Sequence, residues 1–436
     1  QKDETEIAAV IRFYRNVYRA VAAFIFVVGM AVLPFLKYIV KDTSFSLEYV
    51  SLVYIICLMK SVVSYFFSYK QTLAKADQNS YILVQIDMVM HIVMSLTNII
   101  VLFLFHNYIV YLIVEILLGF LARFLQSRQV DRHYPYIRKK AYLSKDSQKK
   151  IMGDVKNIFF GKISSVIVTS TDNILISILV NTVTVGLYSN YSMIIGYIQA
   201  FINQFTTALY YSMGNMFATE TKEYSVDMVN KLTYILYFGA SFCACCLFCL
   251  LNPFISLWIG SDYLLDTSIV AICVLNFFIQ VLKTPLWNTI SGLGYFKEDR
   301  NIAIWGAISN LGVSIILGYF WGILGIFIGT AFSQITQWGM KTVLMYGKYV
   351  QKSALPYLWL SLKLTLLTAG LCAGAYYINS LIQIENEWIA LFVKTAISVA
   401  IPIGFNLLFF WKNEGMIYIK NFLLKNIRRV ISKRSH

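Results

Sequence analysis

Apolar runs, each about the length of a bilayer-crossing helix, follow one another along this chain with short polar breaks between them. A spanning helix needs ~20 predominantly apolar residues. The pattern predicts twelve such segments, at about 17–40, 47–69, 81–105, 107–125, 156–180, 184–213, 230–252, 268–290, 302–320, 322–344, 357–380 and 388–411. His106 alone separates the third from the fourth, and a turn at Trp321–Gly322 separates the ninth from the tenth. Joins that short predict antiparallel hairpins. No period-two alternation recurs in the ~10-residue units that a membrane barrel needs. The predicted fold class is all-α, a polytopic helical membrane protein.

Composition agrees, because 14% of residues are charged against about 25% in soluble domains. The placement of the charges adds orientation. If the N-terminus is cytoplasmic, 29 of the 37 lysines and arginines fall in inner segments and only Lys37 and Lys41 in outer ones. Such a bias predicts both termini inside and an even number of spans. The net charge of +15 then reflects loops facing anionic membrane lipid. Nucleic-acid binding needs a folded basic domain, and the sequence offers none. The stretch from Gln126 to Lys156 reads as a solvated basic connector, and the tail NFLLKNIRRVISKRSH as a segment lying on the inner leaflet. All seven cysteines sit in apolar runs and read as packing residues, so neither a disulfide framework nor a metal site or other cofactor is expected.

The stretch Asp172 to Met193, DNILISILVNTVTVGLYSNYSM, carries the most information. An aspartate and an asparagine inside an apolar run face protein or a water-filled cavity, and the polar Asn181–Thr182 break predicts a tight turn. The pattern D-N-x-L-I-S, a short gap, then V-G-x-Y-S-N-Y resembles the first hairpin of the second lobe in bacterial polysaccharide flippases. These belong to the multidrug/oligosaccharidyl-lipid/polysaccharide exporter superfamily. The resemblance implies two six-helix lobes plus a final helix pair, fourteen spans in all, so about twelve are expected here and the first hairpin is missing. It implies 1–125 as the remainder of an N-lobe, 126–156 as the connector, 157–344 as a C-lobe, 345–411 as the extra pair and 412–436 as the tail. It also implies location in the bacterial cytoplasmic membrane, a lipid-linked oligosaccharide substrate and polysaccharide-assembly proteins as partners.

Ionisable residues inside spans mark transport pathways. On the third segment Asp87, His91, Ser95 and Asn98 recur at helical spacing, which keeps one face polar. Asp87 and His91, one turn apart, fit either a proton-coupling pair or a structural bond between packed helices. Further polar stripes hold Gln199, Asn203, Thr206 and Tyr210; Asn276, Gln280 and Lys283; Gln334, Gln337 and Lys341; and Lys60, Ser64 and Ser68. So many stripes predict a hydrated cavity between the lobes. Arg123, Lys363 and Lys394 lie near span ends, where long side chains snorkel to water. Lys60, Lys162 and Lys283 lie deeper and are candidate ligands for a lipid pyrophosphate, although Lys162 also fits a snorkelling anchor. Glu115 reads as a counter-ion for a lysine or a coupling-ion site, and Asp172 as a cation ligand or an interhelical hydrogen-bond partner. Tyr188, Tyr191 and Tyr210 are candidates for stacking on sugar rings, or else belong to the interfacial aromatic belts.

The leading expectation is a flippase moving an undecaprenyl-pyrophosphate-linked oligosaccharide for capsule or O-antigen assembly, by ion-coupled alternating access. A multidrug/cation antiporter of the same fold would favour a net acidic cavity. A polymerase or glycosyltransferase needs catalytic groups on a sizeable outer loop, and the longest one holds only Asp262 and Asp266. A nucleotide-driven step needs a G-x-x-x-x-G-K-[ST] loop, which the sequence lacks, so an enzyme is not expected.

Overall fold

The computed structural model describes residues 4–417 except 42–44, 78, 140, 220 and 414, and the side chains of 154, 156–170, 205, 207–219 and 296 lie outside that description. The basic tail after residue 417 and the side chains of Lys162 and Tyr210 therefore fall outside the described residues. Every regular element among those described is helical. The chain divides into two compact units, 1–160 and 161–436. Nine stretches among the described residues are long and apolar enough to cross a bilayer.

The first unit begins with α1 (Glu4–Val32), which Pro34 ends in a 3-10 turn before the one-turn helix α2 (Leu36–Ile39). Then come α3 (Leu47–Ala76), α4 (Tyr81–Phe105) and α5 (Tyr108–His133). The expected hairpin at His106 is present: this residue closes α4 in the left-handed conformation (φ 47°, ψ 30°). Asn107 then caps α5, its Oδ1 accepting from the Ile109 amide at 2.9 Å. An unpaired amide at a helix start costs about 1 kcal/mol, and such a cap removes that cost.

Helix α5 continues past the expected end at 125. Gln126 is fully buried, accepts from Gln71 Nε2 at 2.8 Å and donates to the Leu83 carbonyl at 3.2 Å. Buried amides with both ends satisfied extend the packing face into a stretch that composition alone marks as loop. Tyr134 leaves the helix (φ −126°, ψ 67°) because the following Pro135 disfavours α-helical dihedrals. The basic connector thus narrows to the residues between α5 and α6 (Lys145–Leu179).

The second unit contains the remainder of α6, then α7 (Thr182–Thr219), α8 (Lys222–Ile259), α9 (Thr267–Leu282), α10 (Thr284–Gly292) and α11 (Phe296–Leu344). A π-helical turn, Met345–Val350, precedes α12 (Leu355–Ser380) and α13 (Glu387–Phe410). Between α6 and α7, the Asn181 side chain accepts from the Thr184 amide at 2.7 Å, which fixes the predicted turn. Helix α11 is two antiparallel arms, because Gly322 adopts φ 59° and ψ −137°, a conformation open essentially to glycine. The arms approach so closely that a Cβ on Gly325 would overlap the Leu317 carbonyl oxygen. With this fold-back, and with the expected fifth and sixth segments inside α6 and α7, the helices account for the twelve predicted runs.

The core of this unit joins α6 to α12 through Ile176, Tyr237, Phe278, Leu286, Ile326 and Tyr357, all fully buried or nearly so. Tyr191, from the recognised motif, is also fully buried. Its hydroxyl donates to Asn252 Oδ1 at 2.6 Å and accepts from the Leu265 amide at 2.9 Å. It latches the loop after α8 and is no platform for a sugar, which corrects that expectation. Because the fold-back requires contact between backbones, Gly325→Ala should lower stability by about 1–3 kcal/mol through overpacking. Gly370→Ala, with open space around it, should be neutral or slightly stabilising. Thermal unfolding of the two purified variants in detergent checks this.

Candidate functional site

Between Leu282 and Thr284 one expected segment breaks into α9 and α10. Pro285 lacks an N–H and its ring crowds the carbonyl four residues back, which interrupts the helix here. Lys283 sits at the break, with its side chain only 8% exposed. Its Nζ donates to Gln334 Oε1 at 3.0 Å. Gln334 Nε2 in turn donates to Asn276 Oδ1 at 3.2 Å, and Asn276 Nδ2 donates to the Phe327 carbonyl at 3.0 Å. This chain, anchored on a backbone carbonyl, forces the amide oxygen of Gln334 toward the amine. The Lys283 amine also lies 4.9 Å from the centre of the Trp287 ring. Among the described residues, Lys283 has no carboxylate in salt-bridge contact.

A second amine shares that indole. Lys341, 2% exposed, stands 3.8 Å from the Trp287 ring centre and forms an ion pair with Asp299. The two lysines border a cavity of about 660 Å³ whose walls come from α6, α7, α9, α10 and both arms of α11. Thr330, Gln334, Gln337 and Lys341 follow one another along one of its walls. Their spacing keeps them on one helical face and spreads them over about 16 Å at 1.5 Å per residue. Asp172 lies at the Thr330 end, with its oxygens 3.1 and 3.2 Å from the Thr330 hydroxyl. Asn310 Nδ2 donates to that hydroxyl at 3.0 Å, while its Oδ1 is buried without a hydrogen-bond partner. The cavity is therefore electrically graded, with oxygen donors and a carboxylate at one end and two amines at the other.

Eight polar residues singled out in the sequence line this cavity: Asp172, Gln199, Asn276, Gln280, Lys283, Gln334, Gln337 and Lys341. Tyr188 lines it too, packed 4.7 Å from Phe327 between ring centres. Asn203 is exposed one turn beyond Gln199 and accepts its amide at 3.1 Å. Lys341 joins Gln334 and Gln337 on the face that their spacing predicted. Sequence reasoning missed two contributors. Trp287 lies one helical turn after Lys283, a usable signal. Asp299 looked like an ordinary loop acid, and nothing local to it marked its role.

A smaller cavity of about 270 Å³ lies within the first unit, lined by Lys60, Asp87, His91, Glu115 and Arg123 among others. Lys60 Nζ donates to Glu115 Oε1 at 2.7 Å, which makes Glu115 the counter-ion of this lysine. Arg123 Nη1 stands 3.9 Å from Asp87 Oδ1 and donates to Gln126 at 3.0 Å. The charged partner of Asp87 is thus Arg123 on the next helix, and His91 lines the same cavity. Two cations face two anions here, whereas Lys283 has no such balance. Asn98, farther along α4, has a buried Oδ1 without a hydrogen-bond partner.

In a polytopic helical protein, ionisable groups that line internal cavities are the feature that marks candidate pathways. Residues 13–216 match the family model described as "Polysaccharide biosynthesis protein". The fold is similar to the solved structure titled "Lipid II flippase MurJ, inward closed conformation", with a TM-score of 0.60 and 15% sequence identity, covering 92% of this chain and 84% of that one. No curated protein matches the sequence. The family match spans the stretch that holds the Asp172–Met193 motif, and the structural match shows the fold.

Gln280 is exposed on the wall of the larger cavity, whereas its neighbour Phe278 is 1% exposed. In a cysteine-depleted background, Gln280→Cys should react with a water-soluble maleimide and Phe278→Cys should not. Equal protection of both would show a cavity closed to water.

Proposed function

We propose that this protein moves an undecaprenyl-pyrophosphate-linked oligosaccharide across the bacterial cytoplasmic membrane, and that the amine end of the larger cavity receives the pyrophosphate. One observation carries this reading: a lysine withdrawn from water, held by a glutamine oxygen and an indole face, with no carboxylate in contact among the described residues. A buried ammonium left that way is expensive. A substrate phosphate would supply the missing charge through strong, charge-assisted hydrogen bonds. Lys341 adds a second donor by exchanging Asp299 for phosphate. The glycan would occupy the amide-rich wall of Asn276, Gln280, Gln334 and Gln337.

The opposite end of the same cavity supports ion coupling. Asp172, Thr330 and the unpartnered Asn310 Oδ1 present hard oxygen ligands, the type that suits an alkali-metal ion. Cation entry there would favour the state in which the cargo site is empty, giving exchange of ion for substrate. Asp87, His91 and the Lys60–Glu115 pair offer the first unit a separate candidate coupling site. The cargo would feed capsule or O-antigen assembly, in concert with the enzymes that build and polymerise the glycan.

The test is transport of a fluorescent pyrophosphate-linked oligosaccharide into proteoliposomes. Lys283→Met should slow initial uptake by about ten-fold to a hundred-fold, the range for a lost hydrogen bond to a charged group. Lys283→Arg should retain part of the activity because it keeps the charge. Unchanged uptake by Lys283→Met would remove the assignment. Asp172→Asn should abolish the dependence on a sodium gradient, and a gradient dependence that survives in this variant would move the coupling ion elsewhere. Peptidoglycan-type and capsule-type glycans, supplied in parallel, separate the two cargo classes.

A further inference from the structure

A second polar cavity, of about 420 Å³, lies among α8, α9, α12 and α13, and none of the chemistry above uses it. Its lining includes Asn252, Ser256, Thr267, Asn379, Glu387 and Lys394, with Phe248, Tyr376 and Leu391 as apolar walls. Three of the uncharged polar residues make hydrogen bonds, while Asn379 Oδ1 is buried without a hydrogen-bond partner. Asn252 bonds Tyr191 and the Leu265 carbonyl, Asn379 Nδ2 donates to Ser398, and Ser380 Oγ donates to the Tyr377 carbonyl.

The two charges are different. Glu387 is exposed and Lys394 is half-buried. Among the described residues, neither has a salt-bridge or side-chain hydrogen-bond partner, although both line one cavity. They are seven residues apart on α13, two turns, which places them on the same face about 10 Å apart along the axis. Glu387 is the first residue of a candidate membrane span and Lys394 lies two turns inside it. Carboxylate at the membrane surface with ammonium below it is the mirror of a zwitterionic phospholipid headgroup. In such a lipid the amine lies toward water and the phosphate below it, next to the acyl chains. Leu391, between the two charges, also lines a mostly apolar groove formed with Ile194, Phe201, Leu250 and Phe254. That groove offers acyl chains a surface beside the headgroup pocket.

We propose that this cavity is a binding site for a glycerophospholipid with a primary-amine headgroup, phosphatidylethanolamine by class. The Glu387 carboxylate accepts the headgroup ammonium and Lys394 donates to the phosphate. A primary ammonium offers three N–H donors, whereas a trimethylated one offers none, so the carboxylate selects by hydrogen bonding as well as by charge.

The test is lipid retention by the purified full chain, measured by native mass spectrometry after exchange into mixed micelles. The micelles contain equal amounts of phosphatidylethanolamine, its N-methylated and N,N-dimethylated forms, phosphatidylcholine and phosphatidylglycerol. The wild-type chain should retain the primary amine about ten-fold over phosphatidylcholine, with retention falling stepwise as methyl groups are added, ten-fold corresponding to about 1.4 kcal/mol. Glu387→Gln should flatten this series while phosphate-bearing lipids still bind. Lys394→Met should reduce retention of every phospholipid. The methylation series on the unaltered protein needs no variant to fold, so it decides the matter by itself. Equal retention across the series, or preferential retention of a glycan added in competition, would overturn the proposal. Because the readout is lipid bound and not cargo moved, the outcome is independent of the flippase reading.

Discussion

Taking a lysine amine out of water costs several kcal/mol unless partners replace its hydration. In the second unit that constraint falls on Lys283, and much of the local architecture follows from it. Pro285 breaks the helix at the lysine. Gln334 offers its oxygen because Asn276 takes its nitrogen, and Asn276 is fixed by the backbone of Phe327. Trp287 supplies a π face to both this amine and Lys341. These contacts make the charge tolerable and leave it uncompensated, which is the condition a site for an anion must meet before its ligand arrives. Lys341 differs in being paired with a carboxylate, Asp299.

Close contacts in the same unit frame the cavity. Gly322 reverses the chain, and Gly325 lets the two arms of α11 meet at backbone distance near the turn. Tyr191 ties α7 to α8 and to the loop beyond it. The polar face of the second arm then runs from Thr330 to Lys341 along the opening. In the first unit the charges instead satisfy one another, Lys60 with Glu115 and Asp87 with Arg123. Pairs matched in this way leave no uncompensated charge for a dianionic headgroup.

Helix positions were legible because the solvent is apolar. A backbone in hydrocarbon must satisfy its own hydrogen bonds, so every long apolar run reads as a helix. The turns at His106 and Gly322 were legible for the same reason. The end of α5 was not, because its continuation rests on Gln126 finding partners on α3 and α4, information distant in sequence. The site was legible in outline: the stripes Asn276–Gln280–Lys283 and Gln334–Gln337–Lys341 converge as their spacing implied. The pairing of Lys341 with Asp299, 42 residues away in sequence, was not. Pairing was the least legible property. Lys60 and Lys283 look alike in sequence, and only the fold reveals that one faces a glutamate and the other an amide.

The central claim is that an uncompensated amine selects for an anionic lipid headgroup. Equilibrium binding to the purified protein of two polyprenyl-linked sugars, identical except that one carries a pyrophosphate and the other a neutral ether, tests it most directly. The account predicts that the pyrophosphate form binds at least about ten-fold tighter at low salt, with the advantage shrinking as ionic strength rises. Equal affinity for the two at every salt concentration would contradict it.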